Sequence, residues 1–183
     1  MIAKSRLPLS VTLPTALVLV LSGCSSEKPG NATSAPPQSG ASSTSKSTTP
    51  ADVFGDLKAC DLLEPTTSAK GFDPPVVETY ESDNGCATRK QGFGSVSIYL
   101  VAEAGIEQLS AGQGTKVPTK VGEREAVEIP GDAGKQACTV AIAATANSRM
   151  TASTSLNKGT NAEACALSRE IATAAEPKLP RGN

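Results

Sequence analysis

Apolar and polar positions follow three rhythms along the 183 residues. Between Leu7 and Leu21 apolar side chains run almost together, interrupted by Pro8, Ser10, Thr12, Pro14 and Thr15, a stretch too short and too broken to span a bilayer comfortably. From Ser25 to Pro50 nearly half the residues are Ser or Thr, Pro29, Pro36, Pro37 and Pro50 recur, and almost no apolar side chain is present. Such a tract cannot bury enough surface to offset its ordering entropy. Regular patterning begins near residue 51 and continues to the last residues.

Within that third region the period changes twice. Thr49-Pro50-Ala51-Asp52 has the layout of a helix N-cap with proline at the first helical position. Val53, Phe54, Leu57, Cys60 and Leu62 or Leu63 follow at helical spacing, predicting about three turns of helix stopped by Pro65, then a short helical turn over 66–70. After Pro74-Pro75 the period falls to two: a strand over 76–81, a hairpin turn at Asp83-Asn84-Gly85, a returning strand over 86–90, a turn at Gly92-Phe93-Gly94, and a strand over 95–101 with Val96, Ile98 and Leu100 opposed to Ser97 and Tyr99. A short helix is expected over 104–110. Paired strands follow over 116–121 and 124–129, then over 137–145 and 150–156, the second pair turning near Asn147-Ser148. Ala164, Leu167, Ile171 and Ala175 form one stripe of a final helix over 161–176, capped by Thr160 or Asn161. Helix, strands, strands, helix predicts an α+β domain: an antiparallel sheet of about five to seven strands with the N-terminal and C-terminal helices on one face.

The first rhythm has chemistry attached. Lys4 and Arg6 precede the apolar run, and Leu21-Ser22-Gly23-Cys24 ends it. This resembles the signal of bacterial lipoproteins, spelled Leu, a small residue, Gly or Ala, then Cys. The resemblance implies cleavage between Gly23 and Cys24 and a thioether from Cys24 to diacylglycerol. Two acyl chains make such attachment durable where one is only reversible. The chain then divides into a signal peptide over 1–23, a lipidated cysteine and tether over 24–50, and an extracytoplasmic domain over 51–183. As a flexible coil the tether spans about 25 to 30 Å. The expected location is the outer face of the cell membrane.

Charge and composition narrow what the domain does. The net charge is −1, and without residues 1–23 it is −3, too acidic for a nucleic-acid partner. Histidine is absent, which removes histidine-activated nucleophiles and histidine metal sites. Glu123, Glu125, Glu128 and Asp132 form an acidic run without the spacing of a calcium loop, and Glu78, Glu81 and Asp83 flank the expected hairpin tip, where acids are usual. The Gly-x-Gly stretches at 92–94 and 112–114 lack a dinucleotide fingerprint, and Gly-x-Ser-x-Gly does not occur. The expectation is therefore no catalytic residue, no metal and no cofactor.

Four cysteines follow Cys24: Cys60, Cys86, Cys138 and Cys165. They allow three pairings. Pairing Cys60 with Cys86 and Cys138 with Cys165 would staple each terminal helix to the sheet, each loop being worth roughly 3 to 4 kcal/mol by loop entropy. The lipobox, the tether, Cys60-Asp61-Leu62-Leu63, Cys86, Cys138 and the helix bearing Cys165 together resemble a four-cysteine secreted lipoprotein family of actinobacteria, the domain of unknown function 3558. Thr88 stands where that family usually has Trp two residues after its second cysteine. The resemblance implies location and disulfide pattern and no activity. A non-catalytic domain binding a protein or a cell-envelope ligand is the leading expectation. A carrier of a small apolar molecule or lipid, held in a cavity between sheet and helices, is the alternative.

Overall fold

The structure, a computed structural model, describes residues 53–181. The signal peptide, Gly23, Cys24, the tether and the N-cap expected at Thr49 lie outside the described residues.

Helix α1 (Ala59–Ala69) and helix α2 (Asn161–Ala175) enclose in sequence seven strands: β1 (Val76–Val77), β2 (Gly85–Lys90), β3 (Gly94–Val101), β4 (Val117–Val121), β5 (Arg124–Pro130), β6 (Ala137–Thr145) and β7 (Ser148–Leu156). All pair antiparallel in one sheet of order β1-β2-β3-β7-β6-β5-β4. The fold is the expected α+β class. Two meanders, β1 to β3 and β4 to β7, meet where β3 pairs with β7.

Period-two alternation sorts every strand into two faces. Val96, Ile98 and Leu100 of β3, Val140, Ile142 and Ala144 of β6, and Met150 and Ala152 of β7 join Leu62 and Leu63 of α1 and Ile171 and Ala172 of α2 in the main core. Both expected disulfides form on this side. Cys60–Cys86 ties α1 to β2 and Cys138–Cys165 ties β6 to α2, with Cα separations of 5.1 and 4.9 Å. The Ser168 hydroxyl of α2 lies 2.9 Å from the Cys138 carbonyl and 2.8 Å from the Thr154 hydroxyl, so polar side chains facing the helix are satisfied. At the start of α2 the Thr160 hydroxyl accepts from the Glu163 N–H while the Glu163 carboxylate accepts from the Thr160 N–H, a full capping box.

Four expectations are corrected. The first helix starts at Ala59, not near residue 51: Gly55 takes φ +53°, which L side chains rarely adopt, and breaks the early periodicity into a turn. Pro65 lies inside α1, not at its end, so the two pieces expected around it are one helix. The disulfide and the complete burial of Leu63 hold the turn that proline weakens. The expected strand over 76–81 is only Val76–Val77; the chain then leaves the ladder, and Asn84 serves α1 instead of a tight hairpin turn. Its Oδ1 accepts the Ala59 N–H at 3.0 Å and its Nδ2 donates to the Leu57 carbonyl at 2.8 Å, capping the helix from 25 residues away. Finally, residues 104–110 form no helix. They belong to a strap over 102–116.

The strap has a topological cause. β3 ends in the middle of the sheet and β4 lies at its edge, so the connection must cross β7, β6 and β5. The helices occupy one face, and the strap takes the other. Ile106, Leu109 and Ala111 pack there on Val127, Ile129 and Ala141.

Candidate functional site

The strap covers only the β5–β6 side of the helix-free face. Across β2, β3, β7 and β6 the strand registers set small polar residues side by side on the remainder. Arg89 pairs with Ser95 and Ser95 with Ser155; one step along, Ala87 pairs with Ser97, Ser97 with Ser153 and Ser153 with Thr139. A third row runs from Gly85 to Tyr99 to Thr151. The first two rows supply the floor of a groove of about 130 Å³, walled by Glu78 from the 78–84 loop on one side and by Asp132 and Ala133 from the 131–136 turn on the other.

Three hydrogen-bonded clusters brace the loops on this face. Tyr99 donates its phenol to Glu78 at 2.5 Å. Burial, and then that bond to a carboxylate, raise the Tyr99 pKa well above the ordinary phenol value, so the ring stays a neutral donor. Gly85 makes this possible: a Cβ there would lie 2.2 Å from the Glu78 carbonyl oxygen and 2.4 Å from the Tyr99 ring. Farther along, Arg149 donates to Glu81 at 2.6 Å, Thr151 donates to the other oxygen of the same carboxylate at 2.6 Å, and Arg149 also reaches the Ala104 and Gly105 carbonyls at 2.9 and 3.1 Å. One buried guanidinium thus joins the 78–84 loop to the root of the strap. On the far wall Thr139 donates to Asp132 at 2.6 Å and stands 2.6 Å from the Ser153 hydroxyl.

What these clusters leave over faces the groove. Arg89 is exposed and its guanidinium has no partner among the described residues, and the same holds for the hydroxyls of Ser95 and Ser155. Glu78 is exposed, with one carboxylate oxygen committed to Tyr99. Four buried polar atoms lack partners among the described residues, and three of them, on Ser82, Asp132 and Arg149, belong to this face and its loops. Buried polar atoms are seldom left so. The depression at Phe72, Phe93 and Leu167 is larger but shallower and mostly apolar.

The acidic run expected over 123–132 does not come together. Glu125 lies on the opposite face of β5 from Glu128, which pairs with Arg169 of α2, while Asp132 turns to Thr139. Glu128, Cys138 and Cys165 do place ligand-type atoms within 4.8 Å of one another, but the two sulfurs are bonded to each other. Glu78 and Glu81, expected as ordinary turn acids, instead fold back over the sheet. Ser95, Ser97, Thr139, Ser153, Ser155, Arg89 and Arg149 were not singled out from sequence. The available signal was the hydroxyl at every second position of two distant segments, Ser95 and Ser97, Ser153 and Ser155.

The model of a family described as protein of unknown function, DUF3558, matches residues 19–178. The chain belongs to that family. No curated protein and no solved structure matches it. For this DUF3558 member, then, the groove and the clusters around it are the ground for a functional reading.

Proposed function

We propose that this DUF3558 member is a lipid-anchored, non-catalytic binding domain on the extracytoplasmic face of the cell membrane, and that its ligand enters the groove on the helix-free face. The observation that carries the binding role is the groove itself, where an unpaired cation and free hydroxyls converge between two loops braced by buried hydrogen bonds. A preformed recess in which a few polar groups converge can fix the orientation of a small ligand. The Leu21-Ser22-Gly23-Cys24 sequence supports the anchor, and two disulfides suit an oxidising compartment. A tether at the membrane raises effective concentration, so modest affinity suffices.

A hydrolase is the second reading, because two carboxylates, Glu78 and Asp132, line one groove. It has less support. Asp132 spends one oxygen on Thr139 and the other is closed off from solvent, so no second carboxylate faces a substrate. A carrier has less support still: Ile98, Val140, Ile142, Met150 and Ile171 are fully buried between sheet and helices, where its cavity would have to lie.

Two measurements test the proposal. The mature chain recovered from membranes is expected to begin at a diacylglyceryl-modified Cys24, and Cys24→Ala to leave the membrane fraction; an unmodified or earlier N-terminus overturns the anchor. Wild type and Ser97→Trp, which fills the groove, are then compared for retention of envelope material. Loss of retention in the variant is expected, and equal retention overturns the groove.

A further inference from the structure

We infer that the groove recognises a neutral polyhydroxylated ring, a single hexose-type unit of a glycan. This deepens the proposed function and rests on it.

Size comes first. A volume of about 130 Å³ lies below the several hundred Å³ of drug-sized pockets and admits one ring, not an extended polymer segment. Hydrogen-bonding character comes next. A serine hydroxyl both donates and accepts, and so does each hydroxyl of a sugar. Ser95 and Ser97 on β3 and Ser155 and Ser153 on β7 stand in successive registers and line the groove, a two-dimensional array that matches hydroxyls spread around a ring better than the single line of a peptide backbone. The floor between them is Ala87 and Ala137, with no apolar recess for a peptide side chain. Glu78 adds an acceptor and Arg89 a forked donor at the margin. Charge then selects among sugars. Glu78 and Asp132 against Arg89 leave the lining at −1, which disfavours uronates and phosphorylated sugars. The groove lining includes no aromatic side chain on which a ring could stack, so hydrogen bonds alone give affinity of about millimolar for one unit.

The test titrates the full ¹⁵N-labelled chain in detergent micelles with glucose, mannose, galactose and N-acetylglucosamine, with glucuronic acid, and with trialanine as an extended peptide. Saturable shifts of the amides of 87–89, 95–97 and 153–155 are expected from at least one neutral sugar, with glucuronic acid at least fivefold weaker. Arg89→Gln and Ser155→Ala, both at exposed positions, should each weaken binding about threefold or more, and Lys135→Gln, outside the groove, should leave it unchanged. Glucuronic acid binding as well as glucose overturns the inference, as do variants without effect. If trialanine shifts these amides and no sugar does, the inference fails while the groove reading stands. If neither probe moves them, or shifts fall on the helices, both fail.

Discussion

Alternate residues of the same strands build the two faces of this sheet by opposite rules. Along β6, Val140, Ile142 and Ala144 meet the helices, while Thr139 turns to the groove and Ala141 to the strap. Along β7, Met150 and Ala152 enter the main core, while Arg149, Thr151 and Ser153 enter hydrogen-bonded clusters. The helix-bearing face is held by packed apolar area, which is indifferent to small errors of direction, and by two disulfides. Outside the apolar patch under the strap, the other is held by charges and hydroxyls, each of which needs a specific partner. Packed area stabilises the first face, and the recognition we propose lies on the second.

That division is broken first by truncation. Ile142→Ala on the helix side should cost about 4 kcal/mol, whereas Ile106→Ala in the strap, less completely buried, should cost about 2 kcal/mol. Chemical denaturation midpoints read the ratio, and equal losses would show that the strap is as much core as the helices are. Arg149→Ala is the next sharpest probe. It leaves Glu81 without its cation and releases Ala104 and Gly105, and since the Glu81 side chain keeps 21% exposure the loss should be about 3 kcal/mol, short of the largest values for buried pairs. Hydrogen exchange should quicken in 78–84 and 104–105 and stay slow in α2. A uniform rise would mean that the guanidinium supports the whole sheet.

The smallest effect depends on pH. Tyr99 holds its proton more tightly in the fold than in the unfolded chain because burial and Glu78 raise its pKa. The stability from this raised value is therefore complete below the unfolded phenol pKa of about 10 and is lost above it, by up to about 1.4 kcal/mol per pH unit. Tyr99→Phe should abolish this alkaline loss while costing about 1 kcal/mol near neutrality for the hydrogen bond. An alkaline decline unchanged in the variant would assign it to other groups.

Strand existence was legible because a half-buried strand writes its two faces into alternating residues: Val96, Ile98 and Leu100 against Ser97 and Tyr99 needed no tertiary knowledge. The N-cap of the last helix was legible to within one residue, Thr160 or Asn161, being local, and the staples at Cys60–Cys86 and Cys138–Cys165 were one of three open pairings, favoured by the elements already placed and by the family resemblance. The first helix was misread because its cap comes from Asn84, and the strap because Ala104 and Gly105 give their carbonyls to Arg149 and not to a helical turn. The groove was not legible at all. Ser95 and Ser155 are ordinary exposed-face serines until β3 is laid beside β7.

By itself, then, the sequence determined the α+β class, the period-two pattern of about five to seven strands and the buried faces of those over 95–101 and 137–145, since these follow from side-chain alternation, while the disulfide pattern came with the family resemblance. Only the tertiary structure decided that β3 pairs with β7, that the strap covers one half of the helix-free face, and that Glu78, Glu81, Arg89 and Asp132 surround the other. These depend on contacts between residues dozens of positions apart, whose energies no local pattern records.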